Sequence, residues 1–203
     1  ENAEVPLVQF EIVISGGLLV EDINKVGVAN LLARMMTQGT AKKTPQELEE
    51  AIQQLGASIN VAAGTEDIRI GVNTLARNYD ATIALVEEIL LEPRWDAKEF
   101  DLAKQSVTAQ IRQLDANPNA IAQREYSALI YGKENIRSRN ILGTLDSVGA
   151  ITIDDLKTYY AKNISPSVAR MHVVGAIDKT KLTGSLAGLN KRWAAKKVVV
   201  PVF

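Results

Sequence analysis

The sequence predicts an α+β domain in which a mostly antiparallel sheet carries helices on one of its faces. Strand-like and helix-like segments do not alternate strictly along the chain, which disfavours a doubly wound parallel sheet. Two strand-like segments, at 58–63 and 67–75, are joined by the short turn Gly64-Thr65-Glu66, and such a turn joins antiparallel strands. With 203 residues, of which 46% are hydrophobic, the chain can bury the core of one such domain.

The N-terminal part of the chain is predicted to form one strand and one helix. Residues 7–15 mix β-branched and aromatic residues with polar ones, which is typical of a half-buried strand, and Gly16-Gly17 ends it. A helix follows whose apolar residues recur at helical spacing and predict a face directed to the core: Val28, Leu31, Leu32, Met35 and Met36. Gly39 lies where a helix C-terminus favours a residue with positive φ.

The remaining elements are predicted from capping residues and apolar runs. Helices are predicted to begin near Thr44, Asn78, Asp96, Asn117, Thr144, Thr152 and Asp178. A final apolar strand is predicted at Val168–Gly175, and Ile12, Ile14, Ile68 and Ile70 are predicted to lie in the core. We expect a single domain over residues 1–192, followed by a tail at 193–203 that leads to a further domain.

Composition excludes several classes of function. The 23 Lys and Arg residues balance 24 Asp and Glu residues, so no overall charge favours nucleic acid as a partner. The absence of cysteine excludes disulfides and cysteine-ligated metal sites. No apolar run approaches the roughly 18–20 residues of a membrane-spanning helix. Residues 1–4 have no basic region and do not begin with Met, so we expect a piece of a longer protein, of unknown compartment.

Several separated motifs resemble the pitrilysin, insulinase and mitochondrial-processing-peptidase family. Residues 27–40 resemble the family's signature helix, which carries the inverted zinc motif H-x-x-E-H between an Ala and a Met-x-x-x-Gly-Thr. Segments at 129–133, 141–148, 151–160 and 173–178, together with Pro166, follow the family's pattern nearly in register. The resemblance covers residues 7–190, and it implies a domain that pairs with similar domains around an unfolded peptide.

The resemblance also identifies the positions at which the family's chemistry would lie. Asn30 occupies the first ligand position, Ala33 the general-base position and Arg34 the second ligand position, while Gln110, beside Ala109, occupies the downstream ligand position. Amide carbonyls are poor zinc ligands, and an arginine brings a fixed positive charge to the place of a dication. We therefore expect no catalytic residue, no metal ligand and no cofactor in this chain, with zinc in a partner catalytic domain.

By this resemblance, the function is that of an inactive peptidase-like domain of a larger zinc metallopeptidase. Such a domain would build the substrate chamber, pair with a catalytic domain in the same chain or complex, and share its peptide substrate. The alternative is a purely structural or interaction subunit, resembling the family's respiratory-complex core proteins, without proteolysis. The family's first strand, which normally precedes residues 7–15, is expected to be missing, which would leave one sheet edge unpaired.

The former ligand positions allow two interpretations. Asn30 and Arg34 could form a new polar site that contacts a peptide or a partner carboxylate. The preferred interpretation is that they are solvated or paired with the helix that carries Gln110. The sheet edges are also open to two interpretations, since they could bind a peptide as an added strand or pair within the assembly.

Two further features are interpreted as structural. His172 is the only histidine, and a lone histidine is expected to be a strand residue with a local hydrogen bond. The loop that carries Lys133, Arg137 and Arg139 could bind an acidic partner. A solvated loop is the preferred interpretation, because the chain as a whole has nearly no net charge.

Overall fold

The computed structural model describes residues 6–201 and confirms the predicted fold class. Its strands are β1 (Leu7–Ser15), β2 (Ser58–Ala63), β3 (Asp67–Leu75) and β4 (Ala169–Gly175). They form one sheet in the order β2-β3-β1-β4, and every pairing in it is antiparallel. Residues 1–4, which lack a basic region in the sequence, lie outside the described residues.

The helices of the described chain follow the predicted order. They are α1 (Val28–Met36), α2 (Pro45–Gln54), α3 (Tyr79–Leu91), α4 (Ala97–Asp115), α5 (Pro118–Tyr131), α6 (Leu145–Ala150), α7 (Ile153–Asn163) and α8 (Lys179–Arg192). Short 3-10 helices lie at Gly17–Val20, Ile23–Lys25, Ala76–Asn78, Ile136–Ser138 and Pro166–Val168. None of these described helices is long and apolar enough to cross a bilayer.

One face of the sheet is buried beneath the helices. Side chains alternate along β1, so that Phe10, Ile12 and Ile14 are buried while the residues between them are more exposed. Ile68 and Ile70 continue the same buried face on β3. The alternation is expected for an antiparallel sheet with one packed face, and it confirms the four isoleucines predicted for the core.

Helix α1 lies at the centre of this core. Leu31, Leu32, Met35 and Met36 are fully buried, and the helix packs against β2, α4 and α7. The helix ends at Met36, earlier than the glycine predicted to terminate it. Gly39 follows with φ of 93°, in a turn where a Cβ would lie 2.6 Å from the carbonyl oxygen of Lys43.

Side-chain capping accounts for most of the predicted helix starts. The residues that accept capping hydrogen bonds from backbone N–H groups are Thr44, Asp96, Asn117, Thr144, Thr152 and Asp178. Asn78 differs, because it occupies the N-cap position of α3 without a capping bond. Its side-chain amide donates instead to the carbonyl oxygen of Leu55, at 2.7 Å, and so ties α3 to the end of α2.

The residues after α8 return to the domain surface. Trp193 is 8% exposed and belongs to the core. The backbone N–H of Lys196 donates to Oγ of Ser165 at 2.9 Å, and its Nζ donates to the carbonyl oxygen of Ala161 at 2.8 Å. The division into a domain at 1–192 and a tail at 193–203 stays a prediction.

The sheet has two edges within the described residues. Strands β2 and β4 each pair on one side only, so both present backbone hydrogen-bonding groups on their outer sides. Whether a further strand of the parent protein covers either edge stays a prediction. The two edges have different surroundings, and the edge at β2 adjoins the candidate site.

Candidate functional site

A groove of about 580 Å³ is lined by α1, α4 and the edge strand β2. Asn30, Ala33 and Arg34 line it from α1, and the run 60–63 lines it from β2. Glu99, Leu102, Ala103 and Ser106 complete the lining from α4. The groove therefore contains the α1 positions at which the sequence predicts a lost metal site.

Arg34 connects the former ligand positions to one another. Its Nε donates to Oδ1 of Asn30 at 3.0 Å, and its Nη2 donates to Oε1 of Gln110 on α4 at 2.9 Å. The positions aligned with the three ligands therefore meet in space, as the resemblance implies. The preferred interpretation from sequence, pairing of Arg34 with the helix that carries Gln110, is confirmed by this bond.

The N-terminus of α1 is held by a carboxylate from the preceding loop. Glu21 accepts hydrogen bonds from the backbone N–H groups of Gly27, at 2.8 Å, and Ala29, at 2.5 Å. Burial raises the pKa of Glu21 to about 7, although both backbone bonds act in the opposite direction. This carboxylate satisfies N–H groups that a helix start leaves without partners, and it fixes the position of the helix that lines the groove.

Contacts from α7 hold the same loop in place. Nζ of Lys25 lies 2.6 Å from Oδ1 of Asp155, and the hydroxyl of Tyr159 donates to the carbonyl oxygen of Gly17 at 2.8 Å. Gly17 has φ of 53°, and a Cβ there would lie 2.4 Å from the carbonyl oxygen of Gly64. Only glycine fits this close approach of the loop to the hairpin.

Comparison with known proteins decides the family. The sequence profile of insulinase, peptidase family M16, matches residues 1–144, which is more than half of the chain. The chain belongs to the M16 family. This confirms the resemblance found in the sequence motifs.

Similar proteins include a non-peptidase homologue and a solved M16 inactive domain. The "non-peptidase homolog YmxG" of Helicobacter pylori is 26% identical over 162 residues, which are 80% of this chain and 37% of that protein. An uncharacterized zinc protease of Mycobacterium leprae is 22% identical, over 80% of this chain and 36% of that protein. The crystal structure of a peptidase M16 inactive domain from Pseudomonas fluorescens superimposes with a TM-score of 0.90 at 21% identity, covering 97% of this chain and 48% of that one.

These alignments leave much of each relative unmatched. The chain spans little more than a third of the length of the curated relatives, and about half of the solved inactive domain. At 21% identity the structural likeness establishes the fold alone.

The donor set in the groove of this M16 domain does not fit zinc. The amide oxygens of Asn30 and Gln110 both accept from one guanidinium, and that cation stands between them. Ala33, at the position that the motif resemblance assigns to the general base, has only a methyl group and is 2% exposed. Zinc sites in proteins use imidazole, thiolate or carboxylate donors, and no group of three such side chains lies together within residues 6–201.

The lone histidine lies outside the groove. His172 is exposed on β4, directly opposite Glu11 of β1. The predicted local hydrogen bond is wrong, because the imidazole makes none within the described part of the chain. An outward position on an edge strand exposes the ring to solvent instead.

The basic loop is less solvated than the sequence suggests. Lys133 is exposed, whereas Arg137 and Arg139 are half-buried. Nη2 of Arg137 lies 3.3 Å from Oε1 of Glu66, which connects the loop to the β2-β3 hairpin. Arg139 lines a cavity of about 610 Å³ between α4, α5 and the loop before α6. This cavity is larger than the groove but contains none of the former ligand positions.

Sequence reasoning missed two carboxylates of this region. Glu99 lines the groove from α4, and Glu21 caps α1 from a loop. Neither lies in the signature-helix segment at 27–40, and Glu21 accepts from backbone groups six and eight residues further along the chain. A capping pattern of fixed spacing could not have identified it.

Proposed function

We propose that this chain is a non-catalytic M16 domain of a larger zinc peptidase, which completes the substrate chamber and pairs with a catalytic M16 domain. The observation that carries the proposal is the bridge from Arg34 to Asn30 and Gln110. It replaces the metal-binding groups while the surrounding groove, edge strand and helices keep the form of a peptidase domain. The domain would then hold peptide without cleaving it.

The partial coverage of the relatives supports a larger assembly. Solved and curated relatives extend well beyond the region that this chain matches. A second M16 domain, in the same chain or in a partner chain, would supply the zinc, its ligands and the general base. A zinc-polarised water there would attack the scissile carbonyl.

An exposed apolar surface on α5 supports pairing with another domain. Tyr126, Leu129 and Ile130 lie on one side of the helix at spacings of three and four residues, and they are 59%, 85% and 55% exposed. No side chain of α5 is fully buried. Contiguous exposed apolar side chains of this kind mark interaction surfaces in soluble proteins, so we assign the domain contact to this face of α5.

Reconstitution tests the proposal. The chain is mixed with a zinc-loaded M16 protein that has an intact H-x-x-E-H motif and comes from the same genome. Hydrolysis of a long unfolded peptide is then measured, together with the mass of the complex by light scattering. We expect no hydrolysis by the chain alone with added zinc. A complex should form that cleaves the peptide faster than the catalytic protein alone.

Matched variants locate the contact. Leu129→Glu should weaken the complex and remove the rate increase, because it places a charge at the centre of the apolar surface. Val174→Glu, at a residue that is 74% exposed on β4, should leave both unchanged. Stoichiometric binding of zinc by the chain alone, with peptide turnover lost on Arg34 substitution, would contradict the proposal.

The alternative is a structural or interaction subunit without proteolysis. The name of the Helicobacter pylori relative, a non-peptidase homologue, favours keeping this candidate. A complex that forms through α5 but leaves the rate of peptide hydrolysis unchanged would support it. The absence of an intact H-x-x-E-H motif from both the parent chain and the neighbouring reading frames would support it as well.

A further inference from the structure

Arg139 is a half-buried arginine in the wall of the cavity of about 610 Å³ between α4, α5 and the loop before α6. Its Nε is buried and has no hydrogen-bond partner among residues 6–201. No Asp or Glu of that range forms an ion pair with its guanidinium. Burying a charge costs free energy unless an opposite charge or full hydrogen bonding compensates for it. The guanidinium therefore keeps N–H donors for a group that enters the cavity.

Arg124, which also lines the cavity, is already engaged by carboxylates. Its Nη1 lies 2.7 Å from Oδ1 of Asp115, and its Nε lies 3.9 Å from Oε1 of Glu125. Arg139 has no such competitor in the described part of the chain. A carboxylate that enters the cavity would therefore pair with Arg139 rather than with Arg124.

The rest of the lining determines which anion fits. Carboxylates stand beside the cations of this cavity, and they belong to Asp115, Glu125, Glu134 and Asp146. A doubly charged anion such as phosphate would meet their repulsion twice over, whereas a singly charged carboxylate meets less of it. A carboxylate also matches the planar guanidinium with two parallel hydrogen bonds. Ile111, Leu114 and Ala128 line the same cavity, and such apolar groups suit the methylene groups of an acidic side chain.

We propose that this cavity takes up an Asp or Glu side chain of the catalytic M16 domain, whose carboxylate pairs with Arg139. The identity of the partner rests on the proposed function. Glu125 of the cavity lining lies four residues before Leu129 of the apolar surface on α5, and residues at this spacing are neighbours on a helix. A domain that covers Leu129 is therefore placed beside the cavity. The charge pair would help to select the correct partner and its orientation.

Nuclear magnetic resonance tests the carboxylate site on the 203-residue chain alone. The probe is N-acetyl-glutamate methylamide, whose only charge at about pH 6 is its side-chain carboxylate, and the control is the glutamine derivative. The Nε–H signal of Arg139, assigned through Arg139→Lys, reports on its guanidinium. We expect this signal to shift and saturate with the glutamate derivative, with half-saturation below about 20 mM. The glutamine derivative should leave it unchanged.

Variants of Arg139 supply the second comparison. Arg139→Gln should abolish the shifts that the glutamate derivative causes in the backbone amides of residues 138–147. Arg170→Gln, which removes an exposed cation from β4, should leave those shifts unchanged. Circular dichroism shows whether Arg139→Gln keeps the fold. If it does not, the comparison of the two derivatives on the unaltered chain still decides whether the site exists.

The complex with the catalytic M16 protein tests the source of the carboxylate. Arg139→Gln should weaken this complex about tenfold or more in isothermal titration calorimetry, because it leaves an acidic side chain of the partner without its cation. Arg170→Gln is again the matched control and should leave the affinity unchanged.

The outcomes separate this inference from the proposed function. No response to the glutamate derivative, an equal response to both derivatives, or tighter binding of inorganic phosphate overturns the carboxylate site. Glutamate-specific binding, with an unchanged affinity of the complex in Arg139→Gln, overturns the assignment to the partner domain. Failure of the unaltered chain to form a complex overturns the proposed function and the identity of the partner. In that case the resonance experiment still decides whether Arg139 binds a carboxylate.

Discussion

The two sides of α1 differ in what they contribute to the domain. On the inner side, Leu31, Leu32 and Met35 are fully buried and fill the core between β2, α4 and α7. On the side of the groove, Asn30 and Arg34 are half-buried and bond to each other. One side of a single helix thus packs the core, while the other side lines the groove.

The two sides of α1 are therefore under different physical requirements. The inner side requires apolar volume, because packing defects in a core cost several kcal/mol. The side of the groove requires only that its polar groups be satisfied, and water or another side chain can do that. The proposed loss of zinc ligands at the positions of Asn30, Arg34 and Gln110 is therefore compatible with an intact M16 fold.

Truncation on the inner side of α1 should have the largest effect. Leu32→Ala removes a fully buried side chain and should lower the free energy of unfolding by about 2–5 kcal/mol, through lost burial and the cavity that remains. Urea denaturation followed by circular dichroism measures this. Leu102→Ala, at a half-exposed leucine that lines the groove, is the matched control and should cost well under half as much. Equal losses of unfolding free energy in the two variants would show that residues lining the groove stabilise the fold as much as the buried side of α1 does.

Neutralising the carboxylate below α1 should change the pH dependence of stability. Because the pKa of Glu21 rises from about 4.5 to about 7 on folding, the folded state binds more protons between these values. The free energy of unfolding should therefore fall as pH rises from about 4.5 to about 7, by up to about 3 kcal/mol from this group. Glu21→Gln should remove that fall, which chemical denaturation at several pH values measures.

A difference curve isolates this contribution. Some carboxylates have a pKa that is lowered in the fold, such as those of Glu88 and Asp155. Their contribution to the free energy of unfolding is lost as the pH falls through their folded pKa values. This loss is the same in the wild type and in Glu21→Gln. Glu50→Gln, at an exposed residue of α2, is the control. Parallel pH curves for the wild type and Glu21→Gln would show that this carboxylate does not couple the position of α1 to pH.

Removing the guanidinium from the groove should have the smallest effect on stability. Arg34→Met breaks two hydrogen bonds in a half-buried setting where water can replace the lost donors, so the free energy of unfolding should change by less than about 1 kcal/mol. Urea denaturation provides the value. A loss as large as that of Leu32→Ala would mean that Arg34 is part of the scaffold rather than of the site.

Local signals in the sequence predict much of this fold. Thr44, Thr152 and Asp96 each accept capping bonds at the helix starts where they were expected, because capping depends on residues a few positions apart. Asn78 occupies the expected position, but its amide bonds to Leu55, a partner 23 residues away. No local pattern encodes that choice, nor the order of the four strands.

The candidate site was predictable only where a family motif covers it. Alignment with the motif predicted that Arg34 and Gln110 lie together. The burial of Arg139 and the position of Glu99 in the groove depend on how α4 and the loop before α6 meet in three dimensions. Glu21 reads in the sequence as an ordinary acidic loop residue, and only its long-range contacts reveal its role.

The exposed helix α5 has a consequence for the dynamics of the domain. No side chain of its residues 118–131 is fully buried, and isolated helices of this length are marginally stable in water. Opening α5 should therefore require far less free energy than unfolding the core around α1. Amide hydrogens of α5 would exchange with solvent through frequent local openings. Those of α1 would exchange only through rare global unfolding. A partner that covers Leu129 would therefore slow exchange first in α5.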